Sequence, residues 1–111
     1  MTSSPDDKKI LDGISKLATQ GRYRLTEHAL EEMIEDSVST DDLLYAIGCS
    51  TLVENYPDHK RGSWCLINGR TISGRPVHIV CTTDAPILII ITVYVPHMPK
   101  WSSPTQRGKK S

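Results

Sequence analysis

Two histidines, a tyrosine and four cations are the residues of this chain whose types suit proton transfer and phosphate binding. His28 and His78 titrate near neutrality, Tyr94 can orient a phosphate or give up a proton, and Lys60, Arg61, Arg70 and Arg75 can bind one. Cleavage of RNA through its own 2′-hydroxyl asks for such a set. It needs a base for the hydroxyl proton, an acid for the leaving 5′-oxygen, and cations for the charge that develops on phosphorus. No signature motif joins these residues, and each has a structural reading beside the chemical one. His28 lies near Glu31, Glu32 and Glu35, either as an exposed histidine in an acidic face or as a site residue. His78 is a half-buried ring bonded to a neighbour or a catalytic group, and Tyr94 is packing or chemistry. Lys60 and Arg61 fall in the turn 57–62, a solvated loop or a basic loop that meets phosphate. His28, His59, His78 and His97 lack the close spacing of zinc ligands, so no metal and no other cofactor is expected.

These groups must be positioned by a small domain. A chain of 111 residues suits a single core without staples, here a domain over 1–101 with its core in 22–101 and a flexible basic tail over 102–111. No run of about 18 apolar residues occurs and the first nine residues are polar and charged, so neither a membrane span nor a secretory signal is expected and the reading is cytoplasmic. Cys49, Cys65 and Cys81 are odd in number and widely spaced, which suits buried reduced thiols. The net charge of zero hides a division. Residues 1–58 hold five basic groups against twelve acidic ones, and residues 59–111 hold eight against Asp84 alone. The two halves either neutralise each other as solvated faces, or the basic half meets phosphates or an acidic partner.

Helical spacing comes first along the chain. Pro5, after a Ser4 cap, opens a helix whose stripe is Ile10, Leu11, Ile14, Leu17 and Ala18, stopped by Gly21. A short extended piece, Tyr23 to Leu25, precedes a helix capped by Thr26, with Ala29, Leu30, Met33 and Ile34 expected on its core face and His28 opposite them. Ser39 caps a third, with Leu43, Leu44 and Ile47 inward. Strands then follow at 51–56, 63–68, 76–82 and 87–95. The last is the most strongly marked, with eight of nine residues β-branched or aromatic, and it belongs inside its sheet. Helices followed by strands argue for α+β, with N-terminal helices on one face of a mainly antiparallel sheet of about four strands.

Register then assigns faces. A three-residue turn over 84–86 pairs His78 with Thr92 and leaves Tyr94 diagonal to it. It also puts Val77, Ile79, Cys81, Ile87, Ile89, Ile91, Val93 and Val95 on one apolar face for the helices. His78, Thr92 and Tyr94 then share a semi-polar reverse face with Leu88 and Ile90.

The segments Arg24 to Ile34, Val53 to Pro57, Gly74 to Val80 and Ile90 to Pro96 resemble, in that order, the bacterial family known as domain of unknown function 4258. The resemblance implies an α+β fold grouped with RNA-cleaving toxins of the RelE-like superfamily, some ribosome-dependent and some not. Such proteins are often encoded beside a zinc-finger or helix-turn-helix antitoxin. It therefore implies a type II toxin–antitoxin toxin, an mRNA interferase-like endoribonuclease without metal, with RNA and a cognate antitoxin as partners. His28, His78 and Tyr94 would be catalytic, and Lys60, Arg61, Arg70 and Arg75 would bind RNA. Positions commonly arginine in that family are here Glu32 and Asp36, which reverse a charge that could have met phosphate. Either binding shifts to the basic second half, or the chain keeps only a binding role. A non-catalytic interaction module or a homodimer of the same fold is thus the alternative.

Overall fold

The computed structural model describes residues 5–57, 62–83, 86–96, 101–103 and 106–107. Helix α1, Pro5–Thr19, buries Ile14 and Ala18 and ends in a Schellman motif, where the Gly21 and Arg22 N–H groups donate to Ala18 O and Leu17 O. Gly21 takes the left-handed conformation that this ending requires, at φ 74°. The Ser4 cap lies outside the described residues. Strand β1, Tyr23–Leu25, leads into helix α2, Glu27–Glu35, whose cap Thr26 accepts from Ala29 N. Helix α3, Thr40–Gly48, opens on a capping box between Ser39 and Asp42. Both caps are the residues the sequence marks for them.

Strands β2, Thr51–Tyr56, β3, Trp64–Arg70, β4, Pro76–Thr82, and β5, Leu88–Tyr94, complete the main sheet. Its order is β1-β5-β4-β3-β2, antiparallel throughout except that β1 runs parallel to β5. The sheet therefore has five strands, not about four. The extra one is the short piece Tyr23–Leu25, which the helix cap at Thr26 holds against β5. As expected, β5 lies inside the sheet. Across the expected boundary between the domain and the basic tail, β6, Trp101–Ser103, and β7, Gln106–Arg107, form a separate antiparallel pair.

The helices cover one face of the sheet. Ile14, Ala29, Met33, Leu43, Ala46 and Ile47 pack there on Ile67, Val77, Ile79, Leu88, Ile90 and Val93. Gly69 marks the closest approach, because a Cβ at that position would stand 2.1 Å from Ala46 O of α3.

The predicted register of the last hairpin is off by two residues at His78, one already present at Cys81 on the turn side and one added by a bulge. His78 pairs with Tyr94 and Val80 with Thr92, but Cys81 pairs with Ile90, so Ile91 is an extra residue in β5. The helix-facing residues of β5 are accordingly Leu88, Ile90 and Val93, and Ile89 does not join them in the core. The cause of the bulge is α2. Thr26 donates from its N–H to Ile90 O and from its hydroxyl to Ile91 O, so two successive carbonyls point to the same side, which a regular strand forbids.

Candidate functional site

Because β1 is three residues long, it pairs with β5 only from Leu88 to Ile90. Beyond that point the outer backbone groups of β5 need partners, and side chains of α2 supply them. Val93 N donates to Glu32 Oε1 at 3.1 Å and Val95 N donates to Asp36 Oδ2 at 2.9 Å. The spacing explains why one helix face suffices. Two residues of strand advance about 6.6 Å and four residues of helix about 6 Å, so alternate strand amides meet carboxylates one helical turn apart. Helix α2 acts as a surrogate strand made of side chains. Glu32 and Asp36 are thus committed to the backbone of β5.

His28 stands one turn before Glu32 on the same side, with its Nε2 3.2 Å from Glu32 Oε1. Its side chain is 63% exposed against 21% for Glu32, so a solvated imidazole rests on a carboxylate that is itself fixed by Val93 N. This arrangement can orient the ring, a service a carboxylate gives a histidine base.

Turning Glu32 and Asp36 toward the sheet turns other residues away from it. Residues two apart on a helix lie about 200° apart, so Leu30 and Ile34 must point elsewhere. Leu30 is 45% exposed and Ile34 78%, whereas Ala29 and Met33 are buried. The expected core stripe of α2 is therefore only half correct. Hydrophobicity alone assigned Leu30 and Ile34 to the core, and the backbone amides of β5 claimed that side of the helix for carboxylates.

The far end of α2 is held by Arg75. Its Nη1 donates to Asp36 O and its Nη2 to Ser37 O, each at 2.8 Å, next to Ser37 at φ 54°. Both are carbonyls of the helix C-terminus, where positive charge is stabilising. Arg75 is thereby engaged in the fold through both terminal nitrogens.

The reverse face of the sheet carries a polar row across three strands, Asn68, His78 and Tyr94, set by direct cross-strand pairing. His78 is fully buried, and its Nδ1 lies 3.2 Å from Tyr94 Oη with the two rings edge to face at 65°. Asn68 Oδ1 is buried with no hydrogen-bond partner among the described residues. The structure thus brings His78 and Tyr94 together and sets His28 in the helix layer, on the other side of β5.

Of the expected phosphate-binding residues, Lys60 and Arg61 lie outside the described residues, as do His59 and His97. Arg70 is exposed at the end of β3 and donates from Nη1 to Gly74 O at 3.1 Å. It lines a groove of about 430 Å³ with Tyr45, Thr51 and Ile72. Cys65 and Cys81 are buried as expected, directly paired with sulfurs 3.9 Å apart, but Cys49 is exposed. The contact with Cys65 and burial together push the Cys81 thiol well above its ordinary range. Backbone N–H groups of Ile72 and Ser39 hold the Asp42 carboxyl low. Among the described residues no helix is long and apolar enough to cross a membrane.

A family model described as "Domain of unknown function (DUF4258)" matches residues 25–95. That span runs from the end of β1 to the residue after β5, so it contains both α2 and the strand edge that α2 covers. No curated protein and no solved structure matches the chain.

Proposed function

The chain belongs to the DUF4258 family, and we propose that it works by holding a protein partner on the outer side of α2, without catalysing a reaction. One observation carries this reading. Helix α2 turns two carboxylates toward the sheet and two large apolar side chains toward solvent, the reverse of what a helix with no partner beyond its own sheet would do. Two of the residues expected to serve catalysis or phosphate binding are engaged in the fold: His78 is fully buried against Tyr94, and Arg75 is locked on the end of α2.

A second reading is favoured by the pairing of exposed His28 with Glu32. On it, the chain is a RelE-like, metal-independent RNA-cleaving toxin of a bacterial type II toxin–antitoxin system, acting in the cytoplasm and neutralised by a cognate antitoxin. His28 would be its base, and phosphate would be met by Arg70, Lys60 and Arg61. The two readings separate in one experiment. The purified chain is incubated with total RNA, with and without ribosomes, and its expression is induced in a bacterial host. Intact RNA and normal growth are expected. RNA cleavage and growth arrest that His28→Ala abolishes would replace the first reading by the second.

A further inference from the structure

Resting on the reading of α2 as a contact face, the geometry points to the class of partner: we infer that it is a basic amphipathic segment of a second protein, seated on Leu30 and Ile34. These two residues are one turn apart, so their side chains form a ridge with Cβ atoms about 6 Å from each other. Such a ridge fits between apolar side chains that recur at helical spacing on a partner. Glu27, Glu31 and Glu35, all exposed, line one side of it, and α2 contains neither lysine nor arginine. The carboxylates demand cations along one side of the partner's apolar residues, and they set its orientation.

The same charges argue against the other occupants. An antiparallel two-fold pair of copies meeting at this ridge would place Glu27, Glu31 and Glu35 against their own equivalents. Nucleic acid and an anionic membrane surface would meet like charge. The basic second half of another copy would satisfy the charge, but it would join α2 of one molecule to a different surface of the next, a head-to-tail contact that leaves both ends open. His28 borders the acidic rim from the β5 side, where its contact with Glu32 keeps that carboxylate turned away from the partner.

The test uses the full chain and three synthetic helical peptides. The first repeats leucine at i, i+3, i+4 and i+7 with lysine beside each, the second replaces every lysine by glutamate, and the third replaces every leucine by serine. Binding is followed by fluorescence anisotropy. The lysine–leucine peptide is expected to bind, more weakly as salt rises, while the other two do not. Ile34→Ser and the triple change of Glu27, Glu31 and Glu35 to Gln should each weaken it roughly tenfold, with the melting temperature of Ile34→Ser unchanged. Equal binding of the glutamate peptide, or affinity that Ile34→Ser leaves intact, would overturn the inference. So would sedimentation showing that the chain self-associates and that Ile34→Ser makes it monomeric, because the occupant would then be a second copy. A photo-crosslinker at position 34 distinguishes this failure from that of the broader reading. A discrete adduct in cells without peptide binding rejects the basic class alone, and no adduct with no peptide binding rejects the contact face as well.

Discussion

Replacing Glu32 removes the acceptor on which β5 depends past the end of β1. In Glu32→Ala the N–H of Val93, a buried residue, loses its partner at a part-buried position, since the Glu32 side chain is 21% exposed. An orphaned buried donor costs about 1–3 kcal/mol, and the middle of that range, about 2, is expected here. For a domain of this size that is a fall in melting temperature of roughly 8 °C. Glu32→Gln keeps an oxygen in place but not the charge, and a neutral bond is about half as strong, so its cost should be near 1 kcal/mol. His28→Ala removes only an exposed contact and should cost about 0.2–1 kcal/mol. Urea unfolding of the three variants gives the ranking, and amide exchange at Val93 locates it, faster by roughly tenfold or more in Glu32→Ala. If Glu32→Ala unfolds with the wild type and Val93 exchanges no faster, the surrogate-strand account of α2 is refuted.

Arg75→Lys should destabilise by about 1 kcal/mol in urea, because a single ammonium cannot reach both Asp36 O and Ser37 O in the way the guanidinium fork does, whereas Arg70→Lys should be neutral. Gly69→Ala should cost about 3 kcal/mol or more, or prevent folding, since its methyl group would press α3 off β3 at Ala46 O; a silent substitution would contradict the packing described. A thiol reagent should label Cys49 alone in the native protein, with Cys65 and Cys81 reacting only in denaturant. Because folding raises the Cys81 pKa above the ordinary 9.0, its contribution to stability is full below about pH 9 and declines as pH rises beyond it, where the unfolded thiol ionises first. Alkaline unfolding that is no steeper than in Cys81→Ala would remove that claim.

Local signals were legible in the sequence, and so was the order of elements. Thr26 and Ser39 cap the helices they precede, Gly21 ends α1, and the nine-residue apolar run yields an inner strand. The errors over α2 and β5 share one origin at their junction, whereas the exposure of Cys49 lies apart from it. Hydrophobic pattern put Leu30 and Ile34 in the core and gave β5 an unbroken alternation, while Glu32 and Asp36 read as charges available to solvent or phosphate. What overrides the pattern is the backbone. A three-residue β1 leaves amides of β5 without a strand, and only carboxylates at i and i+4 of the adjoining helix reach them. The bulge at Ile91 follows from the same contact through Thr26. No periodicity in one chain reports a bond between side chain and backbone across about sixty residues. The pairing of His78 with Tyr94 was partly foreseen, since their shared face survives the bulge although their predicted offset does not.

The orientation of α2 is what the account stands on, and a lysine scanned across two adjacent positions tests it directly. Met33→Lys should unfold the domain or cost about 3 kcal/mol or more, because it buries an unpaired charge in the core. Ile34→Lys should unfold in urea within about 0.5 kcal/mol of the wild type, because that side chain already faces water. A loss at Ile34→Lys as large as at Met33→Lys would mean that Ile34 belongs to the core, and there would be no apolar ridge on α2 for a partner to hold.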